Sequence, residues 1–164
     1  RCCRWTGLIE AKANIDIRPA VRADVKHIRA LAERAYLKSV PRIGRVPAPM
    51  AADFLSYVLK GEARDAVIDG TIIGYLIAYP RDDDYFIENI AVDPLTAGKG
   101  IGKVLMSVVE KSAIEAKKSC IRLYTNIRMW ENFSFYPALG YLKTHEIKEA
   151  GFHRIYFEKD CIEA

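Results

Sequence analysis

The chain has 164 residues, enough for one domain whose core needs neither disulfides nor metal. Hydrophobic residues make up 51% and charged residues 28%, a composition too apolar for intrinsic disorder. The net charge of +4 permits an anionic ligand, but the basic residues are scattered among 21 acidic ones, unlike those of a nucleic-acid-binding protein. No apolar run is long enough to span a membrane.

Cysteine spacing argues against a metal site. Cys2, Cys3, Cys120 and Cys161 form no CxxC pair and no Cys/His pattern typical of zinc. We therefore expect no metal, reduced thiols and a cytoplasmic location. Residues 1–5 lack the long apolar stretch of a signal peptide. We treat residues 1–13 as an extension outside the fold and residues 14–164 as a single domain.

Hydrophobic spacing predicts a mixed α/β domain with antiparallel central strands. Asp69-Gly70, between two apolar runs, is a strong hairpin signal. Three of the seven prolines fall in residues 38–50, where we expect irregular structure. In chain order we predict a strand at residues 14–19, helices at 21–35 and 54–59, strands at 65–69, 71–79 and 85–92, a helix at 103–117, a strand at 120–125, a short helix at 129–139, and a hairpin of strands at 141–147 and 153–158.

A glycine-rich turn lies between a predicted strand and a long predicted helix. Gly98, Gly100 and Gly102 can adopt positive φ and let a ligand approach the backbone. The first amides of a helix have no intrahelical partner and favour an anion, commonly phosphate. Lys99 and Lys103 add positive charge. The alternative is a turn that only reverses the chain, but three alternating glycines exceed what a reversal needs.

Two common phosphate-binding motifs do not fit this turn. A Walker A motif needs Ser or Thr after Gly-Lys, whereas Val104 follows Lys103. The dinucleotide-binding GxGxxG motif needs glycine where Lys103 stands. The turn therefore belongs to another class of phosphate site.

Two segments resemble motifs of the GNAT acyltransferase superfamily. Residues 88–106 (ENIAVDPLTAGKGIGKVLM) are similar to its acetyl-CoA-binding motif, (Gln/Arg)-x-x-Gly-x-(Gly/Ala), with Ala97 at the Gln/Arg position. Residues 123–126 (LYTN) and 132–141 (NFSFYPALGY) resemble its second signature, and the resemblance spans about residues 14–159. It implies a mixed α/β fold with a mainly antiparallel twisted sheet, splayed open around the cofactor and flanked by about four helices.

The resemblance also implies acetyl-CoA as co-substrate. Its diphosphate would lie on the amides of the glycine turn, and its pantetheine arm would pair with the preceding strand like a short β-strand. Asn126 and Asn132 have alternatives, as a strand terminator and an exposed polar residue. The cofactor-binding residues implied are Ile90, Ala91, Val92, Gly98, Lys99, Gly100, Ile101, Gly102, Lys103, Asn126, Asn132 and Tyr136.

Acetyl transfer to an amine needs a neutral amine, a donor to the oxyanion and a proton for the leaving thiolate. The resemblance assigns the last role to Tyr136, whose alternative is a core aromatic residue. Glu88 is the candidate general base, directly or through a water, because a carboxylate is costly on the apolar strand face that we assign to Phe86, Ile90 and Val92. The alternative for Glu88 is a solvated position at the mouth of the opening.

Arg42 and Arg45, in the proline-rich segment, are candidates to bind a carboxylate on the acceptor, and the alternative is a solvated loop. We expect acetyl transfer to a primary amine of a small molecule or peptide, by direct attack in a ternary complex. The enzyme would act as a monomer or homodimer, without a nucleic-acid or membrane partner. A non-catalytic acyl-CoA sensor of the same fold is the alternative, because Ala97 removes a side-chain contact to the cofactor.

Overall fold

The structure is a computed structural model that describes residues 14–161, so the extension predicted at residues 1–13 lies outside the described residues. A seven-stranded sheet flanked by helices forms this part of the chain. The strands are β1 (Asp16–Pro19), β2 (Ala63–Ile68), β3 (Thr71–Pro80), β4 (Asp84–Val92), β5 (Cys120–Asn126), β6 (Leu142–Glu149) and β7 (Phe152–Asp160), and the helices are α1 (Val25–Tyr36), α2 (Val40–Ile43), α3 (Phe54–Leu59), α4 (Ile101–Glu115) and α5 (Asn132–Ala138).

The sheet has the strand order β1-β2-β3-β4-β5-β7-β6, and this mixed α/β arrangement confirms the predicted fold class. All neighbouring strands are antiparallel except β4 and β5, which are parallel. Asp69 and Gly70 both have positive φ, as the predicted tight hairpin turn requires. The turn lets β2 return directly as β3.

The segment predicted to be irregular contains α2 and two 3₁₀ helices, at Leu37–Ser39 and Ala48–Ala51, so the prediction for residues 38–50 is wrong over most of its length. Pro41 stands in the first turn of α2, where a missing N–H costs no hydrogen bond. Gly44, with φ of 79°, ends the helix in the left-handed conformation. Proline and glycine therefore bound a short helix here instead of preventing one.

The sheet opens between β4 and β5. The two strands pair only from Asp84 to Ile87 on β4 and from Cys120 to Leu123 on β5. Beyond Ile87, β4 continues to pair with β3 as far as Val92. The last residues of β4 therefore have no strand partner on their β5 side, and the predicted splay is confirmed.

A β-bulge at Glu88 shifts the register of β4. Ile77 of β3 pairs with Asn89, whereas the next residue, Ala78, pairs with Ile87, so Glu88 is the extra residue. The prediction of one shared face for Phe86, Glu88, Ile90 and Val92 is wrong for this reason. Ile90 and Val92 pack in the same core as Ile87, on the face opposite Phe86.

Two hydrophobic cores cover the two faces of the sheet. The first lies under α4, whose Ile101, Leu105 and Val109 are fully buried. The second lies under α1 and α3 and includes Ile28, Leu31 and Phe54. Burying each side chain of this size contributes roughly 1.5–3 kcal/mol to the free energy of unfolding. The helices are therefore held to the sheet independently of any ligand.

Cys120 and Cys161 are free thiols, and Cys2 and Cys3 lie outside the described residues. Within residues 14–161, no three His, Cys, Asp or Glu side chains are grouped as metal ligands. No helix in the same part of the chain combines the length and the apolar character needed to cross a membrane.

Candidate active site

A cavity of about 640 Å³ fills the opening between β4 and β5. Clefts of this volume are typical of small-molecule sites. Its walls come from the end of β4, the glycine turn, the end of β5, α5, and the segment between α1 and α3. The cavity therefore brings both sequence motifs to one place.

The glycine turn has the conformation that the sequence predicts. Gly98 has φ of 83° and Gly100 has φ of 77°, and a Cβ atom at either position would meet open space. Gly100 is the N-cap of α4 and carries no side-chain cap. No group in residues 14–161 accepts a hydrogen bond from the amides of residues 98–103, so these donors are available to an anion.

Gly102 has a different structural role from the other two glycines. A Cβ atom there would lie 3.2 Å from the ring of Phe135 on α5. Gly102 therefore lets α5 approach the first turn of α4 closely across the cavity. The sequence pattern alone does not separate this packing role from phosphate binding.

Asp93 anchors the start of the turn. Its carboxylate accepts hydrogen bonds from the amide of Leu95 at 3.0 Å and from Arg34 of α1 at 2.6 Å. Burial alone would raise the pKa of Asp93, but these two hydrogen bonds hold it below its usual value. The start of the turn is thus fixed to α1. Ala97, just before Gly98, is exposed and lines the cavity.

The free edge of β4 presents backbone groups to the cavity. Asp93 donates its N–H to the Ile73 carbonyl on β3, so the alternate residues Val92 and Ile90 direct their backbone groups toward the opening. Ala91, between them, directs its groups to β3 and is buried. Of the three residues predicted to meet the pantetheine arm, two direct their backbone groups to this edge.

Tyr36, at the end of α1, reaches this edge. Its hydroxyl donates to the Ile90 carbonyl at 2.7 Å and lies 3.0 Å from Oδ1 of Asn89. Burial raises the pKa of Tyr36 well above its usual value, so the hydroxyl keeps its proton. The Ile90 carbonyl is therefore occupied, and its N–H is the group left for a ligand.

Asn89 is a site residue that the sequence reasoning missed. Its side chain accepts from the buried Tyr75 hydroxyl at 2.9 Å and donates to the Pro49 carbonyl at 3.2 Å. These bonds tie the cavity side of β4 to β3 and to the proline-rich segment. The available signal was an asparagine inside an apolar strand next to Glu88, a polar group that is buried only when it is paired.

Tyr136 lines the cavity from α5 and is only 5% exposed. Its ring packs against Phe135, Tyr141 and Phe157, with centroids 5.2, 6.1 and 5.6 Å away. Burial raises the pKa of Tyr136 above its usual value, so the hydroxyl stays protonated. Tyr136 thus combines the two interpretations from the sequence, a core ring and a hydroxyl at the cavity.

The two asparagines predicted to bind the cofactor also line the cavity, and each has a structural contact. Asn126 ends β5, where its side chain accepts from the Arg128 amide at 2.9 Å. Asn132, at the start of α5, donates to the buried Thr125 hydroxyl at 2.7 Å. Both therefore shape the β5–α5 connection that carries Tyr136.

Glu88 projects from the bulge and lines the cavity. Its Oε2 accepts a hydrogen bond from the Tyr79 hydroxyl at 2.8 Å. It forms no ion pair with any Lys, Arg or His of residues 14–161. The bulge therefore places a carboxylate without a counter-charge at the opening of the sheet.

Arg42 and Arg45 are not among the residues that line the cavity. Arg42 pairs with Glu131 at 2.9 Å and stacks on Trp130. Arg45 donates to the Ala150 carbonyl at 2.9 Å and stacks on Phe152. Both tether the proline-rich segment to the other half of the sheet, and their substrate role stays a prediction.

The sequence profile of the acetyltransferase (GNAT) family matches residues 29–141, about two thirds of the chain. The chain is a member of the GNAT acetyltransferase family. No curated protein matches the sequence significantly. The two motifs, at residues 88–106 and 123–141, lie within the matched region.

Solved structures share the GNAT fold at low sequence identity. PaiA N-acetyltransferase of Thermoplasma acidophilum, in complex with coenzyme A, is 18% identical over 87% of this chain and 98% of its own, with a TM-score of 0.74. A putative GNAT acetyltransferase of Desulfovibrio desulfuricans is 18% identical over 91% and 100%, with a TM-score of 0.75. Polyamine N-acetyltransferase of Drosophila melanogaster is 15% identical over 90% and 100%, with a TM-score of 0.70.

The residues present fit acetyl-CoA, the acetyl-group donor that the GNAT family implies. The amides of the glycine turn are free, Gly98 and Gly100 leave the space above them open, and Lys103 lines the same end of the cavity. An anion beside these donors would meet no carboxylate of the turn itself. The geometry therefore suits a diphosphate at this end of the cavity.

Proposed function

We propose that this GNAT protein transfers an acetyl group from acetyl-CoA to a primary amine by direct attack in a ternary complex. The observation that carries the proposal is the free amide cradle at residues 98–103 beside a sheet that opens after Ile87. The cradle and the opening belong to one cavity, which also contains Glu88 and Tyr136.

Two parts of the chain would hold acetyl-CoA. The amides of residues 98–103, with Lys99 and Lys103 nearby, would bind the diphosphate. The backbone groups of Val92 would bind the pantetheine arm, and the N–H of Ile90, whose carbonyl is already taken by Tyr36, would face the thioester end of the cofactor. When bound, acetyl-CoA supplies an activated thioester.

Two side chains would move protons. Glu88, without a counter-charge, would take a proton from the acceptor ammonium, directly or through a water. Tyr136, kept protonated by burial, would give its hydroxyl proton to the departing thiolate sulfur. The N–H of Ile90 is a candidate donor to the oxyanion, because its carbonyl is fixed by Tyr36.

Release of free thiol from acetyl-CoA, followed with a panel of primary amines, tests this proposal. Amine-dependent release with matching formation of the N-acetyl product is expected. Thiol release that no amine accelerates, from a protein that still binds acetyl-CoA, would contradict it and support the acyl-CoA sensor instead.

Exposed Ala97 is the observation that keeps the sensor as the second candidate. A cytoplasmic location and a monomeric or dimeric state stay predictions.

A further inference from the structure

The charges that line the cavity point to the class of acceptor. We propose that the acceptor is a cationic amine that carries no carboxylate beside its amino group, and that Glu88 holds it. This inference rests on the proposed function. The charged side chains that line the cavity are Lys38, Glu88, Lys103, Glu131 and Arg154.

Most of these charges are already neutralised by protein groups. Lys38 and Glu131 form an ion pair at 3.0 Å, and Glu131 also pairs with Arg42. Arg154 pairs with Glu149 and stacks over the ring of Tyr124 at 4.4 Å. Away from the glycine turn and Lys103, the charge left without a partner among the described residues is the carboxylate of Glu88.

Glu88 is held in place and still has a free oxygen. Tyr79 donates to its Oε2 at 2.8 Å, and no described residue donates to its Oε1. An ammonium group is the complementary ligand, because it carries the missing charge and three N–H donors. An ammonium in contact with Glu88 would neutralise the charge of this half-buried carboxylate, whose partial removal from water is otherwise unfavourable.

Apart from Lys103 at the glycine turn, the cations that line the cavity are already paired, so a carboxylate on the acceptor finds no unpaired counter-charge there among the described residues. Arg42 and Arg45 lie outside the cavity lining and are engaged by Glu131 and by the Ala150 carbonyl. The carboxylate of a free α-amino acid would therefore stand close to Glu88 and be repelled by it. The cavity thus selects an amine over the amino acid of the same side chain.

Aromatic rings also line the cavity. Tyr124 on β5, Phe152 on β7 and Tyr36 on α1 belong to the lining. The negative charge of Glu88 contributes to a raised pKa of Tyr124, after the larger effect of burial, so the two groups are close enough to interact. Ring faces of this kind suit both a cationic head group and an apolar carbon chain.

Pairs of acceptors that differ only in the carboxylate test the inference. Phenylethylamine with L-phenylalanine and tyramine with L-tyrosine are two such pairs, because each amino acid has its only amino group beside the carboxylate. Thiol release from acetyl-CoA gives kcat/KM for each, and titration calorimetry in the presence of coenzyme A gives binding without turnover. We expect kcat/KM and affinity at least about tenfold higher for the amine of each pair.

The variant Glu88→Gln keeps an oxygen that accepts from Tyr79 but removes the charge. It should bind phenylethylamine at least about tenfold more weakly and lose most of the discrimination within each pair. The matched control is Glu62→Gln, which removes the same charge near Tyr57 but outside the cavity lining, and it should behave as the wild type.

Equal or better use of the amino acids, or unchanged discrimination in Glu88→Gln, would overturn the inference and leave the proposed function intact. Binding of phenylethylamine but not phenylalanine, without thiol release, would contradict the proposed function and still support the acceptor site. Absence of both binding and turnover for all four compounds would overturn the inference.

Discussion

Tyr136 has a buried ring that lines the cavity, and its hydroxyl has no hydrogen-bond partner among the described residues. We predict that Tyr136→Phe lowers kcat about 100-fold, because general acid catalysis contributes factors of this size. The free energy of unfolding should change by less than about 0.5 kcal/mol, since no hydrogen bond is lost. Steady-state kinetics and urea denaturation measure the two effects.

Tyr141→Phe is the matched control for this prediction. Tyr141 is fully buried, its hydroxyl also lacks a partner in the described residues, and it does not line the cavity. Removing this hydroxyl should leave kcat unchanged. Equal kcat values for Tyr136→Phe and the wild type would remove Tyr136 from the proposed chemistry.

Asp65 of β2 is a buried carboxyl outside the active site. Neither of its carboxyl oxygens has a hydrogen-bond partner among the described residues. Asp24 lies beside it, and Arg18, the cation that faces it, is 3.6 Å away. Burial and the neighbouring Asp24 raise the pKa of Asp65 to about 7, whereas Arg18 lowers the pKa of Asp24 to about 2. The pair thus holds one proton at mildly acidic pH.

The raised pKa of Asp65 predicts the direction of a pH effect on stability. Between the usual pKa of Asp and about 7, the folded state binds more protons than the unfolded state, so stability falls as pH rises. Asp65→Asn removes this titration. Urea denaturation should find the stability difference between the variant and the wild type shifting in favour of the variant by at least about 1 kcal/mol from pH 5 to pH 8.5. A difference independent of pH would contradict the assignment.

Motifs and sequence spacing identified the residues that act through local geometry. The conformation of Gly98 and Gly100 was predictable because glycine adopts positive φ readily and both residues stand just before a predicted helix. The Tyr36–Asn89 contact was not, because its partners are 53 residues apart and meet only when α1 packs on β4. Arg42 and Arg45 illustrate the same limit, since their protein partners lie in distant elements.

The glycine turn is the element on which cofactor binding depends in this account. We predict that Gly100→Ala weakens acetyl-CoA binding at least about tenfold, because its Cβ would enter the open space above the free amides. The strain of a positive φ should also cost about 1 kcal/mol of stability. Titration calorimetry and urea denaturation measure these effects.

Gly70→Ala separates strain from ligand contact. Gly70 has φ of 76°, its Cβ would also meet open space, and it lies in the β2–β3 turn outside the cavity lining. This variant should lose similar stability and bind acetyl-CoA as the wild type does. Equal acetyl-CoA affinities for Gly100→Ala and Gly70→Ala would mean that the diphosphate does not bind at the glycine turn.

Strand β4 was predicted as an element, but its bulge was not. The shared face that we assigned to Phe86, Glu88, Ile90 and Val92 assumed an unbroken alternation of two residues. An extra residue at Glu88 reverses the faces beyond it. Nothing in the residue types requires a bulge there, because the register depends on pairing with β3.

At the scale of the whole molecule, the order of strands and helices followed from hydrophobic period and turn residues, whereas the pairing of distant strands did not. β7 lies between β5 and β6, and β4 pairs in parallel with β5, through contacts between separated segments. The splay came from the family resemblance. The structure adds that the splay, the bulge and the glycine turn open into one cavity.

Titration of the protein with acetyl-CoA and with acetylpantetheine, which lacks the diphosphate, tests the central claim most directly. Acetyl-CoA at 100 times its dissociation constant should stabilise the fold by about 2.7 kcal/mol, which raises Tm by several degrees. Acetylpantetheine should bind at least about tenfold more weakly, since it cannot reach the free amides. Equal affinity for the two ligands, or no rise in Tm at millimolar acetyl-CoA, would contradict the account.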